Sequence, residues 1–178
     1  MVGAGIVPYC KSQTGDLLFL FHVMEPDSKK VNHYVDCGGG KKGNESKYST
    51  AAREFHEETS FIFQNIYNHS TKEETVTHTL NQLNTTQPKG ISVIGYTIYL
   101  TEVPFVNEEL LNESFAASIA HTVQKKRTFH WLTKQQLITI VEHQMKGKKG
   151  VVELKSLNML PLWPRVNFPV LLEQVSAL

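Results

Sequence analysis

The chain has 178 residues, and its 18 Lys and Arg nearly balance its 17 Asp and Glu, so the formal net charge is +1. This balance excludes the strongly basic surface of a typical nucleic-acid binder and gives no reason to expect a membrane-surface protein. With 40% hydrophobic and 20% charged residues, the composition is that of a globular protein, and the length predicts one domain over residues 1–178. Any phosphate-binding site must therefore be local.

The cysteines and the apolar runs further limit the class of protein that the sequence can represent. Cys10 and Cys37 are too few for a disulfide framework and lack the paired spacing of a zinc site, so we expect two free thiols. The apolar stretch 1–9 has no basic flank or cleavage site, and no apolar run reaches the roughly 18 residues that span a bilayer. We expect a soluble, cytoplasmic protein with no membrane partner.

The first elements form a predicted hairpin. Residues 3–9 and 17–24 are apolar and flank a turn-forming stretch, which predicts two antiparallel strands. After a polar loop, residues 33–37 predict a short strand, and the glycines at 38–40 are expected to end it.

An amphipathic helix is predicted over 46–59. Its apolar residues fall at i, i+3, i+4 and i+7: Tyr48, Ala51, Ala52 and Phe55. Residues 61–67 favour a strand. The polar stretch 71–87 has apolar residues at helical spacing, so it is either a short helix or a loop insertion.

The second half is predicted to begin with a long buried strand over 90–103, rich in β-branched and aromatic residues and placed at the centre of the sheet. The remaining predictions are an acidic loop over 104–113, a helical turn over 116–123, a strand over 128–132, a helix over 134–145, a basic break over 147–150 and a helix over 168–178. This order predicts an α/β fold of the α+β type, a mixed sheet flanked by helices rather than a doubly wound sheet.

Three carboxylates share one side of the predicted helix. At 100° per residue, Glu54, Glu57 and Glu58 project together, beside the apolar stripe. Taken alone, such a face is more often simply solvated. Like charges at this spacing repel, however, and a divalent cation with oxygen ligands would remove the repulsion. Arg53 can fix the orientation of a carboxylate through a bidentate bond.

A longer pattern surrounds these residues. The sequence has Gly39, five residues, Glu45, seven residues, Arg53-Glu54-Phe55, one residue, Glu57-Glu58, one residue and Ser60-Phe61. This resembles the Nudix box, G-x5-E-x7-R-E-U-x-E-E-x-G-U with U apolar, at every defined position except Ser60, where the pattern has glycine. The preceding Asp36-Cys37 also departs from the apolar residue and proline of many members.

The resemblance implies a Nudix-like α/β/α sandwich around a mixed sheet, and hydrolysis of a nucleoside diphosphate linked to another moiety by water and divalent metal. It implies that Glu54, Glu57 and Glu58 are metal ligands, with the Gly39 carbonyl as a further ligand. Arg53 and Glu45 would orient the carboxylates. The expected cofactor is Mg²⁺, with Mn²⁺ as an alternative. Glu57, or a carboxylate outside the box, would accept the proton.

The sequence leaves the roles of several charged residues and histidines open. Lys41 and Lys42 could bind substrate phosphates, as could the 125–127 run, or they could only solubilise the chain. The candidate carboxylates outside the box are Glu102, Glu108, Glu109 and Glu113. No role is assigned to the histidines at positions 33, 56, 121 and 130.

The substrate and the partners are also open. Candidate substrates are a nucleotide sugar such as ADP-ribose, a dinucleoside polyphosphate or capped RNA. No other nucleic acid is expected as a partner. The oligomeric state is open, with a homodimer among the options. The alternative function is a non-catalytic module of the same fold that binds nucleotide, RNA or a protein partner. Such modules usually lose box glutamates, and this chain keeps all four.

Overall fold

The computed structural model describes residues 2–25, 30–119 and 126–178. Within these ranges the strands are β1 (Gly3–Lys11), β2 (Leu17–Met24), β3 (Cys37–Gly40), β4 (Ile91–Val93), β5 (Tyr96–Glu102) and β6 (Arg127–Thr133). The helices are α1 (Lys47–Glu58), α2 (Phe63–Ile66), α3 (Lys72–Thr86), α4 (Glu108–Ile119), α5 (Lys134–Met145), α6 (Lys148–Ser156) and α7 (Phe168–Ala177).

The strands form one mixed sheet in the order β4-β5-β1-β2-β6, with β3 also paired to β1. The β1 strand runs parallel to β5 and antiparallel to β2 and β3. It pairs with β3 through its first half, Gly3 to Ile6, and with β2 through its end, Tyr9 to Lys11. The glycine strand β3 therefore occupies the gap where β1 and β2 diverge.

Two layers of helices cover the sheet, because apolar side chains alternate between its faces. On β2, Leu20 packs into a core with Ala52 and Phe55 of α1, whereas Phe19 packs into a second core with Leu137 of α5. The first core also takes in α3 and α4, and the second takes in α6 and α7. The predicted mixed sheet between helical layers is confirmed.

Several local predictions are also confirmed. The opening hairpin forms, and α1 begins after Ser46, whose side chain accepts a hydrogen bond from the Ser49 amide. The open alternative at 71–87 is decided in favour of a helix, because Thr71 and Glu74 close a capping box at the start of α3. The helices predicted at 134–145 and 168–178 are present as α5 and α7.

Five local predictions are wrong. Residues 61–67 contain α2 rather than a strand, because Ser60 and Phe61 adopt left-handed backbone conformations and turn the chain. The glycines at 38–40 form β3 rather than ending a strand. Residues 90–103 form two strands with a turn at Gly95, and they lie towards one edge of the sheet, not at its centre.

The other two errors concern helices. Most of the predicted acidic loop at 104–113 belongs to α4, which continues through 116–119, while 120–123 of the predicted turn lies outside the described residues. The predicted break at 147–150 is the start of α6, with Gly147 as its N-cap at φ 71°.

The edge strand β6 is protected by side chains of α4. The Asn112 amide accepts a hydrogen bond from the Phe129 N–H at 2.7 Å and donates one to the Phe129 carbonyl at 2.9 Å. One turn earlier, Glu108 accepts a hydrogen bond from the Trp131 N–H at 2.8 Å. These bonds satisfy backbone groups that an open edge would offer to another strand.

Replacing Asn112 with alanine should lower the free energy of unfolding by about 1–3 kcal/mol, because two backbone groups of Phe129 lose their partner. Urea unfolding checks this, with Glu113→Ala as a control at an exposed position of the same helix. Equal stability of the two variants would contradict the edge-protecting role.

Candidate metal centre

The α1 helix packs against the glycine strand β3, and each glycine meets a different residue of the helix. The Gly38 N–H donates to Glu58 Oε2 at 2.7 Å. A Cβ at Gly39 would overlap the carboxylate of Glu54. The Gly40 carbonyl accepts from Arg53 Nη2 at 2.9 Å. The missing side chains thus let the carboxylates of α1 approach the backbone of the sheet.

Arg53 lies at the centre of a cluster that it forms with Glu45, Glu54 and Glu57. All five of its N–H groups have acceptors. Nε donates to Glu45 Oε1 at 2.7 Å, and Nη2 donates to Glu45 Oε2 at 3.0 Å and to the Gly40 carbonyl. Nη1 donates to Glu54 Oε1 at 2.7 Å and to Glu57 Oε2 at 2.9 Å. One guanidinium therefore holds three box carboxylates together, with two of them on a single nitrogen.

Glu45 is anchored before the helix begins. It also accepts hydrogen bonds from the Lys42 N–H at 2.9 Å and from Thr50 Oγ1 at 3.1 Å. The hydrogen bonds from Arg53, supported by these two donors, lower the pKa of Glu45 to about 2. Glu45 therefore stays ionised, as a partner for Arg53 should.

Glu57 is the most exposed carboxylate of the cluster, with 39% of its side chain accessible. Lys42 Nζ lies 3.2 Å from its Oε1, so the structure brings Lys42 to the cluster. Lys41 is exposed, and its N–H donates to the Val2 carbonyl beside β1.

Glu58 occupies a different environment from Glu54 and Glu57. Its Oε1 lies 3.0 Å from Arg127 Nη1, while its Oε2 accepts from Gly38. Burial raises the pKa of Glu58, against the opposing effects of Arg127 and the Gly38 N–H. Ligand atoms of His22, Cys37 and Glu58 lie within 4.8 Å of one another, the one such group found among the described residues.

The carbonyls of β3 alternate in direction. Because the Lys41 N–H bonds to the Val2 carbonyl, the antiparallel register turns the Gly39 carbonyl towards β1. The carbonyls of Gly38 and Gly40 point away from β1 and accept hydrogen bonds from Arg165 and Arg53. Gly39 contributes to the site chiefly through the space it leaves for Glu54.

Donor chemistry decides which cation would fit. Glu54 and Glu57 present hard oxygen atoms to the same region, as Mg²⁺ or Mn²⁺ requires. The soft and nitrogen donors, Cys37 and His22, are buried and lie beside Glu58. The donor set at Glu54 and Glu57 therefore suits a hard divalent cation.

Sequence reasoning missed a second group of residues beside β3. Asp36, immediately before the strand, accepts hydrogen bonds from the Tyr96 hydroxyl at 2.7 Å and from Arg165 Nε at 3.0 Å. Arg165 Nη2 also donates to the Gly38 carbonyl at 3.2 Å. The departure of Asp36 from the apolar residue of the Nudix pattern was the signal that could have pointed to a buried ion pair here.

The candidate carboxylates outside the box lie on two other elements, α4 and β5. Glu108 holds the edge of β6, and Glu109 and Glu113 are exposed on α4. Ala4 pairs with both Gly39 and Thr97, and Glu102 lies five residues beyond Thr97, about 17 Å along the strand.

The histidines have structural surroundings or lie outside the described residues. His56 is buried and its Nε2 lies 2.8 Å from Thr79 Oγ1, which ties α1 to α3. His33 contacts Trp163, and His130 contacts Glu108. His121, like Lys125 of the 125–127 run, is outside the described residues.

Comparisons with known proteins add the following. No protein-family model matches the chain, and no curated protein sequence is significantly similar to it. A Nudix hydrolase from M. smegmatis, RenU, superposes with a TM-score of 0.49 and 16% identity over 99% of this chain and 87% of that one. A C. elegans Ap4A hydrolase in a binary complex gives 0.44 and 16% over 88% and 98%. At these scores the two likenesses carry no argument about function.

The end of α1 is strained where the box pattern has glycine. Ser60 has φ 50° and follows the C-cap Thr59, and the next residue, Phe61, has φ 58°. The Phe61 N–H closes the turn on the His56 carbonyl at 2.8 Å. A side chain at a left-handed position costs about 1–2 kcal/mol, which glycine avoids.

Ser60→Gly should be more stable than Ser60→Ala by about 1 kcal/mol, because both lose the hydroxyl and only glycine relieves the backbone. Urea unfolding of both variants measures the difference. If the alanine variant is equally stable, the left-handed conformation is not a source of strain.

Proposed function

We propose that the chain is a Mg²⁺-dependent pyrophosphohydrolase of the Nudix type that acts on a nucleoside diphosphate linked to another moiety. The observation that carries this proposal is the gathering of Glu45, Glu54 and Glu57 around the guanidinium of Arg53. A merely solvated face would leave its carboxylates apart in water. Here Arg53 holds three carboxylates together, so negative charge exceeds positive charge in one region, which favours the binding of a divalent cation. The proposal treats residues 1–178 as one domain.

Glu54, Glu57 and Glu58 would hold Mg²⁺, or Mn²⁺ in its place, whereas the Gly39 carbonyl, predicted as a further ligand, is turned towards β1 and is left out of the proposed ligand set. When bound, such a cation binds pyrophosphate oxygens and lowers the pKa of a coordinated water. Arg53 and Glu45 are positioning residues. The guanidinium of Arg53 and the carboxylate of Glu45 bind each other through two hydrogen bonds, so these groups are not available to a substrate. Their role is to keep Glu54 and Glu57 in place.

Glu57 is the favoured proton acceptor. It is the most exposed carboxylate of the box, and the candidates outside the box lie on α4 or far along β5. Lys42 contacts Glu57 through its ammonium group, and because its side chain is exposed it can also bind a phosphate beside Glu57. Lys41 is a weaker candidate for the same role. A nucleotide sugar, a dinucleoside polyphosphate and capped RNA stay open as substrates.

Replacement of Glu57 with glutamine should reduce turnover by roughly 10²-fold or more, because the amide can neither accept the proton nor ligate the cation as a carboxylate does. The measurement is phosphate or mononucleotide release from a panel of nucleoside-diphosphate compounds with Mg²⁺ and with Mn²⁺. Glu142→Gln, at an exposed position of α5, is the matched control and should keep full activity.

If no compound of the panel is hydrolysed while the folded protein binds nucleotides, the chain is a binding module and the catalytic proposal is wrong. Activity that persists in Glu57→Gln would instead remove Glu57 from the mechanism.

Metal binding can be tested without turnover. Glu54→Gln should weaken Mn²⁺ binding by roughly 10- to 100-fold, because it removes a charged ligand while keeping the shape of the side chain. Electron paramagnetic resonance of free Mn²⁺ measures the affinity of the wild type, Glu54→Gln and Glu142→Gln. Equal affinity in all three proteins would place the cation away from Glu54.

A further inference from the structure

Three donor groups of different chemistry meet where β2, β3 and the end of α1 come together. His22 lies on β2, Cys37 begins β3, and Glu58 is the last residue of α1. One ligand atom from each of the three lies within 4.8 Å of the other two, and Cys37 Sγ is 4.0 Å from His22 Nδ1. Imidazole nitrogen, thiolate sulfur and carboxylate oxygen are the ligand types that Zn²⁺ takes from proteins.

The sheet holds two of these donors in place. The His22 N–H donates to the Val35 carbonyl at 3.0 Å, and the Val35 N–H donates to the His22 carbonyl at 2.8 Å. The His22 ring packs edge-on against Phe129, with 5.9 Å between the ring centres. Cys37 is paired with Ile6 of β1. Because these residues are ordered before any ligand binds, binding costs less entropy.

The imidazole of His22 is buried without strong hydrogen bonds. The residue has no exposed surface, and its Nε2 has no hydrogen-bond partner in the part of the chain that the structure describes. Its Nδ1 lies 4.0 Å from the Cys37 sulfur, and a thiol is a weak partner. Buried polar groups normally have partners, so this ring calls for an explanation. A metal ion bound to it would supply a strong interaction that the neighbouring side chains do not.

Cys37 stands at a position where many proteins with the Nudix pattern have proline. Its side chain is buried in the first core, between the sheet and α1, where an apolar side chain would pack equally well. The property that distinguishes a thiol from such a side chain is its affinity for cations that prefer sulfur ligands. Beside His22 and Glu58, that property has a use.

A small movement would bring the three groups to the spacing of a zinc site. With bonds of about 2.0–2.3 Å, tetrahedral Zn²⁺ holds its ligand atoms roughly 3.5 Å apart. The 4.0 Å between Cys37 Sγ and His22 Nδ1 is therefore about 0.5 Å too long. The side chain of Glu58 is 18% exposed and forms the side of the site that solvent reaches. Since Arg127 Nη1 lies 3.0 Å from its Oε1, we expect weaker binding than at a site of four protein ligands.

We propose that His22, Cys37 and Glu58 form a second metal site, which binds Zn²⁺ or another cation that prefers nitrogen and sulfur ligands. The Cys37 thiol releases its proton to solvent as the metal–sulfur bond forms. Three protein ligands leave a fourth position of tetrahedral Zn²⁺ for water. Because the Mg²⁺ centre also uses Glu58, Zn²⁺ at this site inhibits hydrolysis, and this consequence alone rests on the proposed function.

Co²⁺ in place of Zn²⁺ tests the site, because a cobalt–thiolate bond gives a charge-transfer band in the near ultraviolet and cobalt–carboxylate bonds do not. The reduced full chain without Mg²⁺ should show a band that saturates at one Co²⁺ per chain and disappears when Zn²⁺ is added. Cys37→Ala should abolish the band. Cys10→Ala is the matched control, because Cys10 is also a buried free thiol, and it should keep the band.

His22→Gln separates a metal ligand from a residue that only packs. It should weaken Co²⁺ binding about tenfold or more, whereas His33→Gln should bind as the wild type does. Zn²⁺ should raise the melting temperature of the wild type and of Cys10→Ala, but not that of Cys37→Ala. A purely structural role would lower stability without changing the response to metal. His22→Gln keeps the test valid should Cys37→Ala fail to fold.

The proposal is overturned if the folded, reduced wild type gives no thiolate band with Co²⁺, or if Cys37→Ala retains the band. Zn²⁺ should inhibit Mg²⁺-dependent hydrolysis more strongly in the wild type and Cys10→Ala than in Cys37→Ala. Equal inhibition of all three would remove the effect through Glu58. A cobalt band in a chain that hydrolyses nothing removes only the catalytic proposal, and hydrolysis in a chain without the band removes only the second metal site.

Discussion

The interaction on which the site depends is the contact of one arginine with three carboxylates. Glutamates at neighbouring turns repel, and without a counter-charge they would point apart into water. Arg53 offsets this repulsion with five hydrogen bonds, to Glu45, Glu54, Glu57 and the Gly40 carbonyl. Lysine could not replace it, because a single ammonium lacks the planar fork that reaches several oxygens at once.

The glycine strand makes this arrangement compatible with the sheet. Side chains at Gly38 and Gly39 would overlap the Tyr96 hydroxyl and the Glu54 carboxylate. With hydrogen there instead, α1 approaches close enough for Glu58 to accept the Gly38 N–H and for Arg53 to reach Gly40. The same short strand therefore orients carboxylates on one side and, through the Gly38 carbonyl, an arginine on the other.

The two sides of the site differ in charge. Around Arg53, carboxylates exceed cations, which suits a divalent metal ion; around Glu58 and Asp36, each carboxylate is paired with an arginine, Arg127 or Arg165. The chain's formal net charge of +1 does not show this local difference in charge.

The box was predictable because its residues are close in sequence: the helical repeat of α1 alone brings Glu54, Glu57 and Glu58 to one side. Local preference misled elsewhere, since the β-favouring residues after Ser60 form α2 once two left-handed residues turn the chain. Arg165 and Asp36 are 129 residues apart and share no periodicity, so only tertiary packing of the C-terminal segment could bring them together. The carboxylates and their arginine follow from residue spacing within one short segment, whereas the cations that contact them depend on the path of the whole chain.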